Sequence, residues 1–578
     1  MNPALFHRLR SPWLWLALGL VAVYLRGLFL DVMDVDAAQY ASISMEMLQN
    51  SHSSAWLQVQ HRGADYLDKP PLVFWLSASS FWLFSLSNWA YKLPSLLAAL
   101  AGVWATYRFA FLFYGEKTAR LATTILASCM GLMVICNDVR TDTILLGFAA
   151  CAVWQLAEYV EFNRWRNLLA GFFFIGLAML AKGPIGLVMP AFAVGGHLLV
   201  RRDWRGIFRW QWLLGLAVTA MVLAPMCWGL WQQFDLRPEK LVNERQGVSG
   251  LRFFFWEQSF GRITGENVWR NDASVFYFLH VYLWAFLPWC LLLPAAIWLR
   301  VRGFYKGIIP NLSRLAAARH TVQHPIEYYS LAGFLLTFFA LSMAQYKLPH
   351  YIFITLPWAA ALVACSWQKT GVWLWTALYI SAFVALFIAF TTLIFVFPTG
   401  NVWVWGIVLA ATGGLLWKIF RNPFPPDFEV LVQRGAWVAV VFGFVLNFHF
   451  YPNLLPYQCS AQAAQWARVK GIPPEKMYFF NGGSHSLDFY NGDIMENLDA
   501  PEKVVATARE QGGIWVFATE AGKTELEDAG IKTEQAGQFR RFQVALLKPK
   551  FLNPATRGET LGEYFLLHIL QEQAPKQN

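Results

Sequence analysis

Several ionisable residues stand where a greasy chain would not be expected to keep them. Asp34, Asp36 and Tyr40 lie in the stretch Asp34-Val35-Asp36-Ala37-Ala38-Gln39-Tyr40-Ala41. Asp68 and Lys69 precede a double proline in Tyr66-Leu67-Asp68-Lys69-Pro70-Pro71-Leu72. Asn137-Asp138-Val139-Arg140-Thr141-Asp142, Lys182-Gly183-Pro184, Trp256-Glu257-Gln258 with Arg262, and Lys347-Leu348-Pro349-His350-Tyr351 complete the set. Carboxylates can take a proton from an attacking hydroxyl or amine, and lysines and arginines can hold a phosphate. Together they suit transfer chemistry on a phosphate-bearing substrate.

Each group also has a plainer reading. Asp36 could cap a helix, and Asp34 could simply be solvated. Lys69 could snorkel to lipid headgroups. Arg140 and Asp142 could form a local ion pair, and Arg262 could pair with Glu257. His350 could be a hydrogen-bonded structural histidine. Lys182 stands at a Gly-Pro break between apolar runs, where freed backbone groups call for a lined cavity. Asp34, Asp36, His61 and Asp68 share one segment and could hold a divalent cation, but the spacing is weakly specific. The metal is therefore left unknown and no cofactor is assigned. Trp256 and Tyr346 are candidates for sugar stacking.

The elements that position these residues are membrane spans. The 578 residues are 57% hydrophobic and 14% charged, against roughly a quarter charged in soluble domains. Apolar runs near 12–30, 92–114, 119–137, 143–161, 167–181, 184–200, 212–232, 276–299, 328–344, 350–366, 372–397, 402–420 and 435–451 can each cross about 30 Å of hydrocarbon. The runs flanking Gly183-Pro184 could instead be one broken helix. The first run lacks a small-residue cleavage site and is expected to remain as a span. The 7 cysteines mostly lie in apolar runs and define no disulfide framework.

Every second connection is basic: Arg8 and Arg10, Lys117 and Arg120, Arg164 and Arg166, Arg201 to Arg209, Arg300 to Arg319, then Lys418, Arg421 and Arg434. The positive-inside rule puts these connections and the N-terminus in the cytoplasm. It explains the net charge of +10 without nucleic acid. The chemistry-bearing residues then share the outer face, on loops 31–91 and 233–275 and on shorter turns. The expectation is a polytopic α-helical membrane protein of about thirteen spans, with a transmembrane part at 1–452. A small periplasmic α/β domain is expected at 453–578, with β-like runs at 476–480, 514–518 and 543–547 and a helix over 501–511.

The sequence holds no Walker GxxxxGK[ST], HExxH or paired CxxC motif, so nucleotide-driven pumping and a strong metal signature are not expected. Transporters or flippases commonly show inverted repeats and charges at the membrane midplane; neither is visible here. A non-catalytic membrane scaffold with a binding outer domain would also suit the span pattern. An O-antigen-ligase-like transferase would suit it too, but the large basic outer loop expected of one is not found.

In their order, these motifs resemble the polyprenyl-phosphate-sugar glycosyltransferases of the GT-C type. That family includes the bacterial aminoarabinose transferases acting on lipid A and the protein O-mannosyltransferases. The resemblance rests on Asp36-Ala37-Ala38-Gln39-Tyr40-Ala41, on Tyr66 to Trp75, on Asp142, and on the Lys182 and Lys347 motifs. It implies a GT-C fold in the bacterial inner membrane. It also implies a polyprenyl-phosphate-linked sugar donor and a lipid, glycan or protein acceptor. Asp36 would be the catalytic base. Lys69 and Arg262 would hold the donor phosphate, and Lys182 and Lys347 would complete the pocket. Asp34, Tyr40, Asp68, Asp142, Glu257, His350 and Tyr351 would support it. The chain departs from the family at Ala37, where an acidic residue is usual, and at Gln39, where the aminoarabinose transferases typically place Arg. It departs again at Asp68, often Glu, and at Glu257-Gln258, where a His is common. The implied mechanism is an inverting transfer from the lipid phosphate.

Overall fold

The computed structural model describes residues 11–50, 53–242, 245–258, 261, 271, 273–308, 327–366, 371–421 and 427–571. Helices occupy every apolar run read from the sequence. Among the described residues, seven helices are long and apolar enough by themselves to cross a bilayer: Asn88–Ala127, Thr141–Phe162, Trp165–Lys182, Trp204–Asp235, Val372–Val396, Val402–Arg421 and Phe428–Gln458. Shorter apolar helices, including Pro12–Leu28, Ile185–Val200, Tyr329–Ser342 and Pro349–Cys365, complete the bundle. The chain is a polytopic membrane protein.

Small residues let the helices approach closely, as packing without a hydrophobic driving force requires. Gly147 of Thr141–Phe162 lies so near Asn88–Ala127 that a Cβ there would sit 2.0 Å from the Ala98 carbonyl oxygen. Gly215 faces Phe172, and Gly196 faces Ala332, in the same way. The helix Asn88–Ala127 is broken at Gly115, whose φ of 79° is open to glycine at little cost; this is the turn between two of the expected spans. At Gly183, with φ of 89°, the chain reverses so that Gly186 returns against Ala178 and Met179. The runs on either side of Gly183-Pro184 are thus two helices rather than one broken helix.

The first long loop is more ordered than its composition suggests. It contains the helix Asp36–Gln49, a short hairpin pairing 60–61 with 64–65, and the apolar helix Leu72–Phe84. The last has 13 residues, fewer than the roughly 20 needed to span, so it gives no span signal along the sequence.

The C-terminal region holds a five-stranded sheet of order β2-β1-β3-β5-β4, with β1 Met477–Phe480, β2 Asn497–Leu498, β3 Ile514–Thr519, β4 Thr533–Arg541 and β5 Gly562–Ile569. The β1 strand is parallel to both neighbours; β5 is antiparallel to β3 and β4. Alternation along β1 sends Tyr478 and Phe480 to one apolar layer, with Val504 and Leu526, and Met477 and Phe479 to another, with Ala463 and Leu487. The strands at 477–480 and 514–519 and the helix Pro501–Gln511 fall where the sequence puts them. The run at 543–547 does not form a strand. The unexpected strand β4, Thr-Glu-Gln-Ala-Gly-Gln-Phe-Arg-Arg, is a polar edge strand with an irregularity between Gln535 and Gly537, a pattern with little hydrophobic alternation to detect.

Candidate functional site

Helix ends converge to make the site. Asp36 is the first residue of Asp36–Gln49; Arg140 immediately precedes Thr141–Phe162 and Asp142 lies in its first turn. Lys182 is the last residue of Trp165–Lys182, and His350 and Tyr351 open the short helix Pro349–Thr355. Pro70-Pro71 leads Lys69 into Leu72–Phe84, Pro71 preceding its first residue. These ends enclose a cavity of about 410 Å³ lined by Asp36, Gln39, Tyr40, Tyr66, Asp68, Lys69, Arg140, Thr141, Asp142, Lys182, Phe253, Gln258, Tyr346, His350 and Tyr351. Apolar residues a turn further into the helices, among them Leu145, Ile185, Val188, Ala340 and Leu341, also line it.

Two ion pairs organise the charge. Arg140 Nη1 donates to Asp36 Oδ2, and Lys182 Nζ donates to Asp142 Oδ1. The Asp142 side chain is 3% exposed, and its second oxygen lies 3.7 Å from His350 Nε2. The Lys182 ammonium also sits 3.7 Å from the centre of the Tyr351 ring, a cation–π contact. Asp36 is the first residue of its helix, with Val35 at the cap position, and its side chain is 42% exposed. Its negative charge is placed at a helix N-terminus, where the peptide dipoles favour it. Burial alone would lower the pKa of Arg140. The nearby negative charge of Asp36, with Tyr40, Asp138 and Asp142, outweighs burial and raises it, so the guanidinium stays charged.

Phe74 supports two tyrosines of the cavity wall, Tyr40 at 5.8 Å and Tyr66 at 5.7 Å between ring centres, both edge-on. Burial, then the charge of Asp36, pushes the Tyr40 phenol well above its ordinary pKa. Burial, then Tyr40 and Asp68, does the same for Tyr66. Both phenols therefore remain hydrogen-bond donors at neutral pH.

Asp36, Tyr40, Asp68, Lys69, Asp142, Lys182, His350 and Tyr351 share this one cavity. Three other expected residues do not line it. Asp34 is buried against the C-terminal region, 3.3 Å from Arg541 Nη2. Lys347 donates from Nζ to the Ala273 carbonyl at 2.9 Å, and its backbone is paired with Asn271; it fastens a neighbouring segment. Glu257 lies 3.6 Å from both Arg245 and Arg252, while its neighbour Gln258 reaches the wall. Of the stacking candidates, Tyr346 lines the cavity and Trp256 does not. Arg262 lies outside the described residues. Proximity in sequence suggests a pair between Arg140 and Asp142; the structure gives each a different partner. Among the described residues, no group of three or more His, Cys, Asp or Glu side chains could hold a metal ion. In particular, Asp34 is held by Arg541 and His61 packs on His485, with ring centres 4.8 Å apart.

The architecture and the cavity define the class: the chain has the GT-C membrane fold. Over 98% of its length it matches the crystal structure of ArnT from Cupriavidus metallidurans bound to undecaprenyl phosphate, covering 99% of that chain at a TM-score of 0.71 and 18% identity. The apo structure of the same protein matches at a TM-score of 0.70. The family described as "Dolichyl-phosphate-mannose-protein mannosyltransferase" matches residues 68–231. The undecaprenyl phosphate-alpha-4-amino-4-deoxy-L-arabinose arabinosyl transferase of Edwardsiella ictaluri is 26% identical over 330 residues, 55% of this chain and 52% of that protein. Its Pseudomonas aeruginosa counterpart is 26% identical over 326 residues, with the same coverage. The chain spans about half the length of the curated relatives it matches. It is thus related in sequence and in fold to the polyprenyl-phosphate-sugar glycosyltransferases.

Proposed function

We propose that this protein is a membrane glycosyltransferase that moves a sugar from a polyprenyl-phosphate donor to a lipid A, glycan or protein acceptor. The observation that carries the reading is the single cavity in which the Asp36–Arg140 pair faces Lys69 and the Lys182–Asp142 pair. The names of the relatives, which act on undecaprenyl-phosphate aminoarabinose, supply the donor class.

The acceptor hydroxyl or amine gives its proton to the Asp36 carboxylate. Its oxygen or nitrogen attacks the anomeric carbon, and the bond from that carbon to the phosphate oxygen breaks. The phosphate leaves with the bonding electrons, which inverts the anomeric centre. Lys69 and Lys182 balance the charge gathering on the departing phosphate, and fixed charges of this kind act strongly in a site shielded from water. Arg140 bonds the Asp36 carboxylate and holds it in place. Arg262 remains a phosphate-binding candidate through the family resemblance. The apolar residues a turn deeper offer a path for the start of the lipid tail.

We further place the cavity on the periplasmic face of the inner membrane, from the basic connections at the opposite helix ends. The N-terminus is then cytoplasmic and the sheet-containing region, as a domain over 453–578, periplasmic. The direct test is mass spectrometry of envelope lipids and glycoproteins with and without the gene. Accumulation of a polyprenyl-phosphate sugar and loss of one adduct would name donor and acceptor. Movement of labelled carrier lipid across liposomes with no glycosidic product would instead favour a flippase.

A further inference from the structure

The C-terminal region holds the segment just before Asp36 with a dense set of bonds. Val32 N donates to the Tyr490 hydroxyl at 2.7 Å, and Gln458 Nε2 donates to the Val32 carbonyl at 3.1 Å. Asp34 N donates to Gln458 Oε1 at 2.7 Å. The Asp34 carboxylate accepts from Ser486 N at 3.3 Å and from Arg541 Nη2 at 3.3 Å. Asp34 is 7% exposed, so its charge must be paired where it lies.

The same short helix, His485–Asn491, grips the other arm of the first loop. Asp488, fully buried, accepts from Arg62, whose second nitrogen reaches the Met495 carbonyl at 3.4 Å. Arg62 precedes Lys69 in that arm, and its own backbone N–H donates to Glu46 of the Asp36 helix at 2.7 Å. Between the two anchored arms, Met33 N donates to Asp138 Oδ2 at 2.8 Å. That bond ties the Asp36 segment to the loop that carries Arg140.

We infer that the C-terminal region is a clamp that sets the position of Asp36 and Lys69 over the cavity, with Asp34 and Arg541 as positioning residues. None of its described groups lines the cavity, so it acts through the loop. Asp34 and Asp36 are separated by Val35 alone. A shift of the anchor is therefore passed to the carboxylate almost undiminished. The inference rests on the glycosyltransferase reading for its catalytic consequence, but the clamp itself can be measured without any activity.

The experiment uses the full-length protein in detergent micelles, as wild type, Arg541→Gln, Arg541→Lys and Tyr490→Phe. Hydrogen exchange is followed on peptides covering residues 29–40, and melting temperature is recorded alongside. Transfer is assayed with the carrier lipid that accumulates in the deletion strain. Arg541→Gln should speed exchange in that segment by about tenfold or more, and Arg541→Lys should restore much of the protection. Tyr490→Phe, which removes one hydroxyl and no charge, should give a smaller effect in the same peptides. In transfer, Arg541→Gln should lower kcat by about tenfold or more while KM for the donor stays nearly constant, because misplacement by about 1 Å is costly to the reaction step. Unchanged exchange in both Arg541→Gln and Tyr490→Phe overturns the clamp. Faster exchange with unchanged kcat overturns its positioning role. Absence of transfer by the wild type would count against the enzyme reading alone, since the exchange data still decide the clamp.

Discussion

Asp36 and Arg140 are 104 positions apart in the chain and form an ion pair at the rim of the cavity. Arg140 therefore belongs to the proposed catalytic arrangement rather than being a local partner of Asp142. It leaves Asp142 to Lys182, and the two pairs together place two carboxylates and two cations around one space.

Asp36→Asn keeps the shape of the side chain and its bond to Arg140 but removes the proton acceptor. Transfer should fall by roughly 10²-fold or more, the scale of a lost general base, while melting temperature stays close to wild type. Retained turnover in membranes of a complemented deletion strain would remove Asp36 from the mechanism.

Lys182 is both a proposed phosphate-binding group and one half of the ion pair with Asp142. Lys182→Met leaves Asp142, 3% exposed, without its cation. Removing one partner of a buried pair costs about 3–5 kcal/mol. Adding Asp142→Asn should recover much of that stability without recovering transfer. A single Lys182→Met variant as stable as wild type would show that the pair is not a buried one.

Lys69 lines the cavity from a backbone stiffened by Pro70-Pro71. Lys69→Gln should weaken binding of the phosphorylated carrier and slow transfer, while Lys69→Arg keeps part of both. Equal binding of undecaprenyl phosphate by wild type and Lys69→Gln, measured by tryptophan quenching, would argue against a phosphate contact.

Gly147 tests the packing. A Cβ there would fall 2.0 Å from the Ala98 carbonyl oxygen, a backbone atom that cannot rotate away. Gly147→Ala should destabilise the bundle by about 1–3 kcal/mol, the usual cost of overpacking. Gly406→Ala, where no atom lies within 4 Å, serves as the comparison and should melt like wild type.

The contact of His61 with His485 makes the clamp sensitive to acid. Burial, then His485 and Arg62, lowers the His61 pKa from 6.5 to about 3. His485 is also lowered, first by burial and then by Arg62. A histidine whose folded pKa is depressed contributes stability that is complete above about pH 6.5 and is lost as pH falls toward 3. Melting temperature should therefore drop between pH 7.5 and pH 5, and His61→Gln should flatten that dependence. An equal pH dependence in the variant would assign the titration elsewhere.

Much of this protein is legible along the chain. Long apolar runs must become helices in a bilayer, because no other local structure satisfies the backbone there. Charges are tolerated mainly at their ends, so the motifs around Asp36, Lys69, Asp142, Lys182 and His350 can be read as neighbours of one face. The strands at 477–480 and 514–519 and the helix Pro501–Gln511 are legible for a similar local reason: continuous apolar stretches, and a proline start with a glycine stop. Tertiary structure alone decided which charge meets which. Ion pairing depends on distance in space, and Arg140 is nearer to Asp142 in sequence yet bonds to Asp36. The same reason removed Asp34 and Lys347 from the cavity, since each found a partner on a segment remote in sequence, Arg541 and Ala273. Residue type and helix-end position are local properties of a chain; the choice of partner is settled only when distant ends are folded together.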